Sequence, residues 1–138
     1  MNIALIAQDS KKELMVQFSI AYCGILSKHR LLATAGTGKL VSDATGLSVI
    51  KFLSGDQGGC EQISSRISCN EVDLLLFFRD PMRASNTNTN HEDLLRLCDV
   101  HNIPFATNIA TAEALIRGVE RGDFEWREIV NPRYNQKK

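Results

Sequence analysis

The sequence predicts an α/β protein built on a doubly wound parallel sheet. Three observations carry that expectation. Short apolar runs alternate with amphipathic stretches of helical length along the whole chain. Residues 72–78, VDLLLFF, are apolar almost throughout, as a strand covered on both faces must be. Loops rich in glycine and hydroxyl residues follow two of the apolar runs, where such a sheet places its strand-to-helix turns.

Each element follows from local pattern. Residues 2–7, NIALIA, read as a buried first strand. Asp9 and Ser10 offer a helix N-cap, and 11–29 places Leu14, Phe18, Ala21, Tyr22 and Ile25 on one helical face. Residues 30–34 give a second strand. A short helix is predicted over 38–45, stopped by Gly46 as the residue past its end. Residues 47–53 supply a third strand, 59–69 a helix ended by Asn70, and 72–78 the central strand. A polar loop over 79–90 leads into a helix over 91–101 with Leu94, Leu95 and Leu97 inward. Residues 104–108 form a short strand, 111–121 the last clear helix, 126–130 a candidate sixth strand, and 131–138 a polar tail. The spacing shows no linker and no repeat, so residues 1–138 are expected to form one domain.

Composition excludes several classes of partner. Sixteen Lys and Arg balance sixteen Asp and Glu, so no net charge favours nucleic acid or a membrane surface. No apolar run is long enough to span a bilayer. Residues 2–7 are too short for a signal peptide and have no basic lead. Cys23, Cys60, Cys69 and Cys98 form no CxxC pair. Cys98 and His101 stand at ligand spacing, but no second pair completes a zinc site, so neither metal nor cofactor is expected. Four reduced thiols in a cytoplasmic protein are the expectation.

Ligands of such sheets bind beyond the carboxyl ends of the strands. Gln8, Asp9, residues 34–38 and 54–60, Arg79, Asp80, Thr107 and Asn108 fall there. Thr34, Thr37 and Ser54, with Gly36 and Gly55, can wrap a phosphate group. Glycine lets backbone amides approach closely, and a helix N-terminus adds partial positive charge. Lys12 can add a full one. The same small residues also make ordinary tight turns; two such loops at neighbouring strand ends favour a ligand. Asp9 can cap a helix, and Asp80, before Pro81, can open a turn. Both also face the crevice, where carboxylates near a phosphate suit proton abstraction beside a carbonyl.

Six motifs then follow one another in register: I-A-L-I-A-x-D at 3–9, A-T-x-x-T-G at 33–38, L-S-G-x-x-G-G at 53–59, D-x-L-x-F-F-x-D-P at 73–81, L-L-R-L at 94–97, and N-I-P-x-A-T-N-x-A-T-A at 102–112. From Asn2 to about Ile116 the chain resembles the methylglyoxal synthase family. That family eliminates phosphate from dihydroxyacetone phosphate by way of an enediolate. The resemblance implies a flavodoxin-like domain, a homo-oligomer with hexamer as the family habit, and phosphate contacts at Lys12, Thr34, Thr37, Ser54 and Gly55. Asp9 and Asp80 match retained active-site carboxylates.

Other positions depart from the family pattern. Gln8 stands where the pattern has histidine, and Cys60 where it has the aspartate that serves as base. Thr87 replaces the histidine that polarises the carbonyl, Asn90 replaces another aspartate, and Gly36 replaces a threonine of the phosphate turn. The family's C-terminal arginine has no clear counterpart. Loss of one positioned base or electrophile lowers a rate by about 10²–10⁴, and several are missing together.

Three readings follow. The chain binds a small phosphorylated metabolite or inorganic phosphate with little or no turnover. Alternatively it remains an active synthase through Asp9 and Asp80, or it runs altered chemistry on Cys60. A helix N-terminus would lower the Cys60 pKa, whereas burial would leave a small inert thiol. Glu61, one residue on, is turned by ~100° on a helix and points elsewhere.

Overall fold

The structure, a computed structural model, describes residues 1–82 and 88–130, the side chains of 88–90 excepted. Its elements run β1 (Asn2–Ala7), α1 (Lys12–Ala21), α2 (Cys23–Leu26), β2 (Arg30–Ala33), α3 (Ala35–Thr45), β3 (Val49–Lys51), α4 (Gly59–Ser68), β4 (Leu74–Phe78), α5 (Asn88–Val100), β5 (Phe105–Ala106), α6 (Ile109–Arg121) and α7 (Trp126–Val130). Two 3-10 turns, Asp9–Lys11 and Gly55–Gln57, follow β1 and β3. All strand pairings are parallel, in the order β3-β2-β1-β4-β5. The chain winds outward from β1 to β3, then returns to lay β4 on the other side of β1. The β1–β4 boundary is therefore the topological switch point, where doubly wound sheets open a ligand crevice.

Strand alternation sorts the core into two layers. Ile3, Leu5 and Ala7 of β1 and Leu74, Leu76 and Phe78 of β4 face Met15 and Phe18 of α1, Val41 of α3, and Ala112 and Ile116 of α6. Ala4, Ile6, Leu75 and Phe77 face Ile63 and Ile67 of α4 and Leu94 and Cys98 of α5. Both faces are covered, which explains why β1 and β4 carry near-continuous apolar sequence.

Several elements differ from the sequence expectation; α5 starts at Asn88, inside the loop expected over 79–90, and the strand expected over 47–53 shortens to Val49–Lys51. Residues 126–130 form a helix, α7, not a sixth strand. Arg127 turns inward there, 4% exposed, and its Nε donates to Asp73 Oδ1 at 3.4 Å while Nη1 donates to the Asn102 carbonyl at 2.6 Å. Asp73 also accepts the Asn2 N–H at 2.7 Å, so this buried pair lies at the amino ends of β1 and β4, away from the crevice. The helix expected over 38–45 starts at Ala35, which brings Gly36 and Thr37 into its first turn. The long helix over 11–29 breaks at Tyr22, and α2 follows it. Asp9 is not a side-chain cap; it opens a 3-10 turn behind Gln8.

Candidate functional site

The loops after β1, β2 and β3 converge around the first turn of α3. Thr34 precedes that helix in an extended conformation and makes no side-chain cap. Ala35 N–H is taken by the Leu53 carbonyl at 3.3 Å, and Gly38 N–H by Thr34 O at 2.8 Å. The amides of Gly36 and Thr37 have no acceptor among the described residues, as the unpaired donors of a helix N-terminus. Thr34 and Thr37 are buried, with their hydroxyls 3.4 Å apart, and Thr37 Oγ1 also accepts the Ala7 N–H at 3.2 Å. The hydroxyls thus lock the end of β1 to the start of α3, directly beside open helix amides.

The 53–59 loop is shaped by two glycines. Gly58 has φ of +101°, the left-handed region that favours glycine. Gly59 passes so close to the chain before it that an added Cβ would lie 2.0 Å from the Leu53 carbonyl oxygen. The loop is further held by Gln62, whose Oε1 accepts the Leu53 N–H at 2.7 Å. Ser54 Oγ donates to Asp56 Oδ1 at 2.7 Å. A Cβ on Gly55 would stand 3.9 Å from Cys60 Sγ, so the thiol lies directly behind the loop.

Cys60 is the second residue of α4, as the sequence suggested, but it is not activated there. It is 3% exposed, and burial, with Glu61 adding a smaller effect, pushes its pKa from 9.0 up to about 11. Burial thus keeps the thiol protonated, and it is neutral at physiological pH. Cys98, also buried, is pushed up to about 12 by burial first and Asp99 second.

Both candidate carboxylates are engaged. Asp9 Oδ1 accepts from Lys12 Nζ at 2.6 Å. Asp80 Oδ2 accepts from Ser10 Oγ at 2.7 Å, and its Oδ1 from the Met82 N–H at 3.0 Å. Gln8 reaches across the switch point, its Oε1 accepting the Asp80 N–H at 2.5 Å. No local pattern signals the Gln8 and Gln62 bonds, since each joins distant or looping backbone. Thr87 lies outside the described residues; Asn90 belongs to α5, but its side chain lies outside them.

The structure therefore brings together Gln8, Asp9, Lys12, Gly36, Asp80 and, through the loop after β3, Ser54, Gly55 and Cys60. Asn108 serves another purpose: its side chain caps α6 by accepting the Thr111 N–H at 3.1 Å. It lines a separate cavity of about 370 Å³ with Lys11, Leu14, Phe78, Arg79 and Thr107, among others. None of Thr34, Gly36, Thr37, Ser54 or Gly55 lines that cavity. Among the described residues no group of His, Cys, Asp and Glu could hold a metal ion. Among them, too, no helix is long and apolar enough to cross a membrane. The arrangement offers amides, hydroxyls and one ammonium to an oxyanion, and it holds its carboxylates in internal bonds.

Comparison with known proteins identifies relatives of this arrangement. A family model described as an MGS-like domain matches residues 15–107. The chain is 60% identical, over all 138 residues, to a protein from Caldicellulosiruptor saccharolyticus named methylglyoxal synthase, 98% of which is covered. It is 54% identical over 133 residues to a methylglyoxal synthase from Oceanobacillus iheyensis, covering 96% of this chain and 95% of that one. A solved structure of methylglyoxal synthase from Elizabethkingia anophelis superposes with a TM-score of 0.76 at 39% identity. That match covers 83% of this chain and 76% of the other.

Proposed function

We propose a function from one premise: the chain belongs to the methylglyoxal synthase family. It binds a small phosphorylated metabolite, or inorganic phosphate, at the first turn of α3 and the loop after β3. It turns dihydroxyacetone phosphate over slowly or not at all, acting as a binder or sensor.

One observation carries the second half of this reading. Cys60 occupies the position that the family pattern gives to the base, and it is buried and neutral, with its pKa near 11. A protonated thiol cannot take a proton from carbon beside a carbonyl at neutral pH. Asp9 and Asp80 do not stand in for it readily. One is paired with Lys12 at 2.6 Å, and the other accepts from Ser10 and the Met82 amide. The same burial argues against altered chemistry on Cys60, since the thiolate is the nucleophile.

A second reading keeps an active lyase with a remodelled site. The 60% identity to a protein named methylglyoxal synthase favours it. Asp9 and Asp80, at the carboxyl ends of β1 and β4, would carry it.

Turnover decides between them. Purified protein is incubated with dihydroxyacetone phosphate, and methylglyoxal is measured. The binding reading expects no product above background, and robust turnover overturns it. Titration with inorganic phosphate should raise the unfolding temperature by mass action. Homo-oligomerisation, as a hexamer in a cytoplasmic setting, belongs to the same proposal. Trp126, Ile129 and Val130 of α7 are exposed and would gain from a covering subunit; light scattering tests it.

A further inference from the structure

We propose that the cavity between α1 and α6 is a second binding site, built for a small organic acid: a carboxylate carried on an apolar body. The site is independent of the phosphate-binding reading above, since none of Thr34, Gly36, Thr37, Ser54 or Gly55 lines it.

The cavity opens at the carboxyl ends of β4 and β5, where sheets of this kind place their ligands. Phe78, the last residue of β4, closes its floor and is 1% exposed. Leu14 of α1 and Ile109, the first residue of α6, form its walls. Its volume, about 370 Å³, is that of a small-molecule pocket.

The charges of the lining have one sign. Lys11 and Arg79 line the cavity, and no Asp or Glu does. Among the described residues neither cation belongs to an ion pair. Asp9 and Asp80, close to them in sequence, are bonded instead to Lys12 and to Ser10 and the Met82 amide. Arg79 is anchored at the rim by its backbone, whose N–H donates to the Thr107 carbonyl at 3.2 Å. Asn108 uses its side-chain oxygen to cap α6, which leaves the Nδ2 amino group as the donor it offers a ligand.

Walls and charges select the same ligand class. Ammonium and guanidinium groups hold a carboxylate by charge-assisted hydrogen bonds. A body of a few carbon atoms covers Leu14, Phe78 and Ile109, which inorganic phosphate would leave wet. A neutral apolar molecule would cover the walls and leave both cations without a counter-charge.

Benzoate is the probe. Acetate supplies the charge without the body, and benzyl alcohol the body without the charge. Binding is followed through the methyl NMR signals of Leu14 and Ile109, for wild type, Lys11→Met, Arg79→Met and Ile109→Trp. Benzoate should shift both residues' signals and bind roughly tenfold more tightly than acetate or benzyl alcohol. Each cation variant should weaken benzoate by about tenfold, and Ile109→Trp, which fills the cavity, should abolish its binding. Unfolding temperatures without ligand check each fold; if the tryptophan variant does not fold, Lys11→Met, at a half-buried surface position, decides. Saturating inorganic phosphate should leave benzoate affinity unchanged. Benzoate displaced by phosphate overturns the second site. So does benzyl alcohol bound as tightly as benzoate, or a pair of cation variants with wild-type affinity. Wild type whose Leu14 and Ile109 signals ignore benzoate overturns the proposal even where phosphate binds. Wild type that takes benzoate but not phosphate keeps this site and overturns the phosphate-binding reading alone.

Discussion

The side-chain carbonyl of Gln8 accepts the backbone N–H of Asp80 at 2.5 Å, tying the carboxyl end of β1 to that of β4. The two residues are 72 positions apart in sequence and meet only because β4 returns to lie beside β1. Ser10 reinforces the tie from the same side, donating to Asp80 Oδ2 at 2.7 Å. The crevice floor is therefore stitched by side chains as well as by the sheet. Gln8 takes part in that stitching, so the glutamine at this position has a structural role.

Replacing Gln8 by Ala should remove this bond without disturbing the core, since Gln8 is only half-buried. A hydrogen bond of this kind contributes about 1 kcal/mol, a fall in melting temperature of roughly 2–5 °C for a domain of this size. Calorimetry on Gln8→Ala and Gln8→Glu checks it. The glutamate keeps an acceptor for the amide but brings a second negative charge to Asp80. It should keep more of the stability while weakening phosphate binding.

The glycine loop gives a sharper contrast. Gly59→Ala would place a Cβ 2.0 Å from the Leu53 carbonyl oxygen, a backbone atom that cannot swing aside. Overpacking costs about 1–3 kcal/mol or more, and here the loop itself must move. Gly24→Ala, in α2 with nothing within 4 Å of the new atom, should instead stabilise by about 0.4–1 kcal/mol. Urea unfolding of both variants, with phosphate titration of the first, tests the pair. Equal effects would show that Gly59 is not shaped by its contact with Leu53.

Cys60 predicts an alkaline limb of stability. Its folded pKa, about 11, lies above the ordinary value of 9.0, so the native state keeps its proton longer than the unfolded chain. Stability is therefore full below about pH 9 and is lost as pH rises from there towards 11. Cys98, pushed up to about 12, acts in the same direction. The Cys60→Ala variant should lose less stability than wild type across that window. A thiol reagent at pH 7 should label exposed Cys69 and spare Cys60 and Cys98 until the chain unfolds. Rapid native labelling of Cys60 would contradict the burial on which its inert role rests.

Much of the architecture was legible because it follows from short-range pattern. The apolar runs of β1 and β4 announce strands covered on both faces, and Gly58 and Gly59 mark a loop that only glycine can trace. Residues 126–130 were not legible. WREIV is too short for its period to separate helix from strand, and Arg127 turns inward for Asp73, 54 positions away. The candidate site divides in the same way. Thr34, Gly36, Thr37, Ser54 and Gly55 stand at strand ends by sequence alone. The Gln8–Asp80 bond, the Lys12 ammonium over Gly36 and the raised pKa of Cys60 depend on packing between distant segments. Asp9 misleads locally: its carboxylate, suited to a helix cap, is taken by Lys12 one turn on.

The decisive variant places acid–base groups at the loop after β3. Cys60→Asp puts a carboxylate behind Gly55, where Sγ now stands 3.9 Å from the position of a Gly55 Cβ. Burial raises the pKa of a carboxyl there, towards the range useful to a base at neutral pH. It also destabilises the fold, because the charged form loses water. Adding Thr87→His supplies the group that the family uses on the carbonyl. If the present chain lacks turnover for want of these groups, the double change should raise methylglyoxal formation by about 10²-fold or more over either single change. Each variant is assayed with dihydroxyacetone phosphate alongside its phosphate affinity. Unchanged phosphate binding with rising turnover would show that the cradle was intact and the chemistry absent. A wild-type rate already equal to that of the double variant would place the base elsewhere, with Asp80 the residue to replace next.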